Sequence, residues 1–382
     1  MAMGKNKLRR QPGTSRTATK RVLFTSHTAD FAKFNQPLIQ LLHDRGYEVH
    51  YASAGEKPIA NVDRNFVVDF ARSPLKISHH WRAYCQIKKI IDEGDYDLIH
   101  THTPVGSVLT RLAARQARRR GVRVLYTSHG FHFYKGAPLA AWLLWYPIEK
   151  YCAPLTDGLV TINHEDFTRA KKHFATKVFI IPGVGVDLTK LSAKVSGRAK
   201  SALRASLNLK PDDFVIISVA ELNKNKNQQL IIKALPEIAK TYPNARVLFV
   251  GDDCLHGKLR KLARACHVES RVRFLDYRSD LPQLFAISNL LVAASRREGL
   301  GLGLIEAMAA GLPVLASDNR GHREVVTKQQ LFRDNDAADL VDKVAHLAKQ
   351  NNSGLIEKFS LASSLRAMNK IYRDILGPSY DR

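Results

Sequence analysis

Cysteine is scarce in this chain, with four in 382 residues: Cys85, Cys152, Cys254 and Cys266. No two stand in a C-x-x-C spacing, so neither a zinc cluster nor a dithiol redox motif is written into the sequence. The four are expected to be buried thiols of a reducing compartment. Long apolar runs are also lacking. A membrane-spanning helix needs about 20 apolar residues, and the nearest approach, residues 139–147, is cut short by Pro147, Glu149 and Lys150. Acidic residues are few: 35 Asp and Glu face 59 Lys and Arg, a net charge of +24. That excess bears on partners rather than fold, and leaves nucleic acid, an anionic membrane surface or phosphorylated small molecules as candidates.

What is present is enough chain and enough apolar residues for two cores. The length exceeds one ordinary domain, and the hydrophobic share of 45% is that of a soluble globular protein. Residues 1–20 carry six Lys and Arg and no acid. No apolar stretch of signal-peptide length follows, so they read as a disordered basic tail. From residue 21, short apolar runs at 21–26, 48–53, 97–100, 123–127, 158–162 and 178–181 alternate with helix-period stretches such as 37–44 and 107–120. Gly46 and Gly121 follow helices, where glycine serves as a left-handed stop. After Pro182-Gly183-Val184-Gly185-Val186-Asp187 the pattern lapses into a polar, basic linker with a short helix. It restarts with strands at 214–219, 246–251, 272–275, 290–294 and 313–316 and helices near 227–241, 255–265, 302–310 and 337–349. Continuous apolar strands alternating with helices imply parallel sheets covered on both faces. The expected fold is therefore α/β, two doubly wound Rossmann-like domains facing across a cleft. The domains run over 21–185 and 186–360, and a final helix within 361–382 crosses back to the first.

One segment carries the chemistry. Arg297-Glu298-Gly299-Leu300-Gly301-Leu302-Gly303-Leu304-Ile305-Glu306 follows a strand and opens a helix. Its glycines leave backbone N–H groups uncovered at a helix N-terminus, an end suited to a diphosphate or to sugar hydroxyls. A carboxylate at Glu306 suits the paired hydroxyls of a ribose. A glycine-rich loop alone is equally well a tight strand-to-helix turn; two carboxylates at this spacing tip the balance toward a ligand.

With Asp97-Leu98-Ile99-His100-Thr101-His102, Thr127-Ser128-His129-Gly130, the turn at Asp187 and Val250-Gly251-Asp252, this segment resembles the E-x7-E pattern of the family 4 retaining glycosyltransferases of GT-B fold. The resemblance covers residues 21–376. Within the family, the His129–Tyr134 and Trp145–Lys150 segments are similar to bacterial transferases that build capsular or exopolysaccharide repeat units.

The resemblance implies transfer of a sugar from a nucleotide diphosphate donor, a UDP-sugar, to a lipid-linked saccharide in the cytoplasm, at the inner face of the cell membrane. It implies roles for Glu298 at the donor sugar, for Glu306 on the ribose and for Gly301, Leu302 and Gly303 as backbone contacts. Lys226 would neutralise the diphosphate and His129 would lie near the reacting sugar. The family's Gly-Arg is here Ala220-Glu221, so Lys224 or Arg297 is the expected substitute for the missing arginine. The glycine-rich loop after the first strand is replaced by Ser26-His27-Thr28-Ala29-Asp30, and the chain runs short near 329–333. No cofactor and no metal are expected: Asp95-Tyr96-Asp97 precedes its strand rather than ending one. Inversion requires a base opposite the leaving group, and no such residue is evident.

Arg111, Arg115, Arg118 and Arg119 recur at roughly helical spacing. Such a run is ordinarily a solvated face, but the overall charge favours contact with anionic lipid. Residues 139–145 read as a core helix with one exposed side, or as a contact for an acceptor's lipid tail. Three other readings compete: a GT-B sugar-nucleotide epimerase, a nucleic-acid-binding protein, and a glycogen- or sucrose-type cytosolic transferase, the last weakened by the His129–Tyr134 segment. Basic residues dispersed rather than patched with exposed aromatics argue against nucleic acid.

Overall fold

The apolar runs fold into two parallel sheets. The first holds β1 (Lys20–Thr25), β2 (Tyr47–Ser53), β3 (Arg64–Val67), β4 (Leu98–His102), β5 (Arg123–Ser128), β6 (Gly158–Thr161) and β7 (Val178–Ile180), in the order β3-β2-β1-β4-β5-β6-β7. The second holds β8 (Phe214–Val219), β9 (Ala245–Val250), β10 (Val272–Phe274), β11 (Leu290–Ala293), β12 (Val314–Ser317) and β13 (Leu331–Phe332), in the order β10-β9-β8-β11-β12-β13. This is a computed structural model, and it describes residues 19–71, 73, 76–346 and 356–381. The basic tail read over 1–20 lies almost entirely outside the described residues, as does the end of the helix read to 349.

Each sheet is covered on both faces by helices, as continuous apolar strands require. All five residues of β4 are buried. The chain order reverses beside β1 in one sheet and beside β8 in the other, so each sheet has a switch point where its strand ends open a crevice. Gly46 and Gly121 adopt positive φ where they end their helices, at 75° and 106°.

The chain passes between the sheets twice, side by side. The N–H of Val186 donates to the Phe359 carbonyl (3.0 Å), and the N–H of Leu361 donates to the Val186 carbonyl (2.9 Å). A Cβ on Gly185 would lie 2.7 Å from the Cα of Leu361, so only glycine lets the two crossings touch. The second crossing leads into the helix Leu361–Leu376, which packs on the first sheet. Its Tyr372 hydroxyl lies 2.8 Å from His100 Nδ1, and Ile375 fills the space above Gly158. One apolar cluster runs from Val22 and Leu98 through Val186 and Phe359 to Val215 and Leu304, joining both halves.

Two readings need correction. The stretch 107–120 is two helices, Pro104–Ala113 and Arg115–Arg119, and Arg111 points inward rather than to a lipid surface. Arg111 is 1% exposed, donates to Glu149 at 2.8 Å and lies under the Tyr126 ring. Arg118 is held by Asp157, so that face offers only Arg115 and Arg119 as open cations. Residues 139–147 belong to the helix Leu139–Cys152, which packs one side on the core and exposes the other, as expected. Leu139 and Leu143 are 72% and 70% exposed, while Trp142 and Tyr146 pack inward on Phe133. Of the cysteines only Cys152 is buried; Cys85 and Cys254 are exposed. Two strands (β3 and β13) and the helix Ile77–Gly94 join the expected elements.

Candidate active site

A cavity of about 800 Å³ lies at the carboxyl ends of β8, β9 and β11 and reaches across to Lys33 and Phe34 beside the first sheet. The turn after β11 supplies one wall. Gly301 caps the helix Leu302–Ala309, and Gly301, Leu302 and Gly303 line the cavity with the bare N-terminal turn. A Cβ on Gly303 would meet nothing closer than the Val219 carbonyl oxygen, at 3.5 Å, so this turn is open to a ligand.

The loop after β8 supplies the cation. Asn223 Oδ1 accepts from the backbone N–H groups of Asn225 (3.0 Å) and Lys226 (2.9 Å), a local turn of the kind asparagine favours. Asn225 then ties this loop to the β11 turn: its carbonyl accepts from Arg296 N–H (2.8 Å) and its amide donates to the Arg297 carbonyl (3.0 Å). The result is an ion pair, with Lys226 Nζ 2.6 Å from Glu298 Oε1, both half-buried at the cavity wall.

Glu306 lies deeper along the same helix. Burial pushes its carboxyl up to about 7, opposed by the charge of Lys33. It has no ion-pair partner among the described residues. A carboxyl of this kind, facing a cavity, is suited to accept from neutral hydroxyls.

His129 ends up beside the cavity rather than in its wall. Its Nε2 is 3.1 Å from His102 Nδ1, and Phe31 packs edge-on against its ring at 4.7 Å. Burial pulls it down to about 4, so it is neutral near pH 7. Its backbone meets the donor-side turn directly: a Cβ on Gly299 would lie 2.0 Å from the His129 carbonyl oxygen. Lys224 is exposed, and neither it nor Arg297 lines the cavity. The cations that do are Lys33, Lys190, Lys226 and Arg278, and Arg278 is already held by Asp280.

Sequence reasoning missed the joint between the halves. Arg320, just after β12, donates to the Asp166 carboxylate (2.5 Å), to the Phe131 carbonyl (2.6 Å) and to the Glu298 carbonyl (3.3 Å). Asn163 donates to the Gly299 carbonyl at 3.2 Å. No local pattern announces a pair 154 residues apart. Lys33 and His322, which line the cavity, were also unread; His322 stands in a polar turn directly after a strand, which is the one signal it gives. No group of three or more His, Cys, Asp and Glu among the described residues is arranged to hold a metal ion.

Two Rossmann-like units with a bare helix end, a lysine and two carboxylates between them are the architecture of a GT-B sugar transferase. The chain belongs to the group 1 glycosyltransferases: residues 199–360 match the family model described as glycosyl transferases group 1, and residues 32–190 match that of glycosyltransferase family 4. It is an enzyme of the glycosyl-transferring class, EC 2.4. It is 42% identical over 312 residues to the putative glycosyltransferase EpsD of Bacillus subtilis (strain 168), covering 81% of each chain. It is 26% identical over 333 residues to a UDP-Gal:alpha-D-GlcNAc-diphosphoundecaprenol alpha-1,3-galactosyltransferase of Escherichia coli, covering 82% of this chain and 84% of that one. Its fold is that of the Anabaena protein Alr3699/HepE solved with UDP and glucose, with a TM-score of 0.74 at 20% identity over 93% of this chain and 100% of that one. A sucrose-phosphate synthase from Thermosynechococcus elongatus gives a TM-score of 0.75 at 20% identity, over 93% of this chain and 98% of that one.

Proposed function

We propose that this enzyme transfers a sugar from a UDP-sugar to a lipid-linked saccharide, with retention of configuration, in the building of a cell-surface polysaccharide. The observation that carries the reading is the Lys226–Glu298 pair at the wall of a cavity whose other features are a bare helix end and Glu306. In this reading the second domain is the donor domain. The diphosphate lies on the Gly301–Gly303 backbone, Glu306 accepts from the ribose and Glu298 lies by the sugar. The bond from the anomeric carbon to the diphosphate oxygen breaks, and the acceptor oxygen bonds to that carbon on the same face. The acceptor proton leaves with the diphosphate, and Lys226 stabilises the charge that develops there. His129, neutral and carried by the first domain, hydrogen-bonds the sugar from the other side.

The acceptor assignment draws on the Escherichia coli relative, whose name specifies a diphosphoundecaprenol-linked acceptor, and on the similarity of the His129–Tyr134 segment to polysaccharide transferases. It also draws on the exposed apolar face of Leu139, Leu143 and Leu144, which would rest on the inner face of an anionic membrane under a chain of net charge +24. No helix of the described residues is long and apolar enough to cross a membrane.

The test is a donor screen. Release of nucleoside diphosphate is measured with UDP-, GDP- and ADP-sugars, with lipid-linked saccharides extracted from membranes as acceptor. Release that requires both a UDP-sugar and the lipid fraction supports the reading. No release with any donor, or release unaffected by the lipid fraction, counts against it.

A further inference from the structure

At the joint between the domains, two side chains stand outside the donor cavity with nothing yet to bind. Arg320 ties the segment after β5 to the turn after β11, because one guanidinium holds the carbonyls of both Phe131 and Glu298. The neighbours of those residues along the chain, His132 and Arg297, are thereby brought to the same place. Both are partly exposed. Arg297 has no carboxylate within ion-pair distance among the described residues, and Asp166 at the joint is held by Arg320 and Asn163. The His132 ring has no hydrogen-bond partner among the described residues. One flank of it stacks on Trp145 at 4.8 Å. The positive charges of Arg297 and Arg320 add to burial in pulling His132 down to about 4. Trp145 in turn belongs to the helix that exposes Leu139, Leu143 and Leu144.

Contacts thus link Glu298, by way of Arg320, to an open cation and an imidazole, and the imidazole to the helix that exposes the leucines. We propose that Arg297 and His132 form an anion subsite on the acceptor side of Glu298, which takes the diphosphate of a lipid-linked saccharide while the helix Leu139–Cys152 receives the start of its lipid chain. The subsite rests on the reading of the acceptor given above. Its chemistry is ordinary: the guanidinium fork fits a phosphate with two parallel hydrogen bonds. His132 donates one N–H as a neutral ring, and takes up a proton more readily once an anion offsets the two arginines. This assigns Arg297 to the acceptor and leaves the donor diphosphate to Lys226.

Two soluble probes separate the possibilities: a prenyl-diphosphate monosaccharide of short chain, and the same sugar on a phosphate-free alkyl chain of equal length. Binding of each, and of UDP, is measured by calorimetry for the wild-type enzyme and for Arg297→Ala, Arg297→Lys and His132→Asn. The expected result is wild-type preference for the diphosphate probe. Arg297→Ala should lower its affinity at least tenfold, Arg297→Lys should restore part of it, and the Kd for UDP should stay within about twofold. Loss of UDP affinity in Arg297→Ala with the probe preference intact would return Arg297 to the donor and overturn the subsite. Equal wild-type affinity for both probes, or for neither, also overturns it. If the donor screen then shows transfer to a phosphate-free glycoside, the lipid-diphosphate acceptor falls as well, while the donor chemistry stands.

Discussion

Lys226 Nζ and Glu298 Oε1, separated by 72 residues in the chain, lie 2.6 Å apart at the cavity wall. Each holds the other in place, so on the proposed function a donor diphosphate would meet a lysine that is already oriented. Replacing Glu298 by Gln keeps the shape and removes the charge. Turnover is expected to fall by about 10²–10³, the range seen when one electrostatic group is removed from an active site, with the melting temperature within a few degrees of wild type. Steady-state transfer assays and thermal melts check this, and full turnover in the variant would remove Glu298 from the chemistry. Lys226→Met should instead weaken nucleoside diphosphate binding by roughly ten- to a hundredfold, about 1.4–2.8 kcal/mol.

Glu306 gives a pH signature. Its carboxyl titrates near 7 in the folded enzyme against 4.5 in an open chain, because burial disfavours its charge. Below that lower value both states hold the proton and nothing is lost. Between the two values only the unfolded chain releases it, so stability falls as pH rises and stays reduced above about 7. The full difference corresponds to about 3 kcal/mol. Glu306→Gln should therefore match wild type in melting temperature at pH 4 and exceed it by several degrees at pH 8. Equal melting temperatures at both would show that Glu306 is ionised without penalty.

Gly299→Ala places a methyl carbon 2.0 Å from the His129 carbonyl oxygen, where both partners are backbone. The two segments must separate, which carries His129 away from Glu298. A fall in kcat/KM of at least a hundredfold is expected, in line with the sensitivity of catalysis to displacements of about 1 Å. Gly197→Ala, where an added Cβ meets nothing within 4 Å, is the control and should behave as wild type. An active Gly299→Ala enzyme would show that this contact is not part of the working geometry.

The apolar face of the helix Leu139–Cys152 predicts lipid binding. Changing Leu139, Leu143 and Leu144 together to Ser removes side chains that make little packing contact, so the melting temperature should hold. Flotation with vesicles of anionic phospholipid should drop severalfold. Unchanged flotation would assign membrane contact to another part of the surface.

The strands read from the sequence were those with uninterrupted apolar runs. β3 escaped because its four residues are exposed or half-buried, as an edge strand's are, and β13 because two residues carry no period. The helix Ile77–Gly94 escaped because only Ala83, Ile87 and Ile91 are buried along its 18 residues, leaving a narrow stripe in a polar segment. Arg111 misled for the opposite reason: charge at helical spacing looks like a wet face, and its partner Glu149 lies 38 residues away. In the candidate site the glycine turn and its carboxylates are local in sequence and were legible. Arg320, Asp166 and Lys33 act across the gap between the sheets, and nothing within ten residues of any of them reports that.

The return of the helix Leu361–Leu376 to the first sheet has a consequence for biosynthesis. β7 ends at Ile180 and that helix begins at Leu361, so 180 residues must be translated in between. At about 5–20 residues per second, the face of the first sheet that Tyr372 and Ile375 cover waits some 10–40 s for its lid. The nascent chain meanwhile presents bare apolar surface around His100 and Gly158 outside the ribosome, which is the kind of surface chaperones hold. A fragment ending before residue 361 would keep that surface permanently and should aggregate.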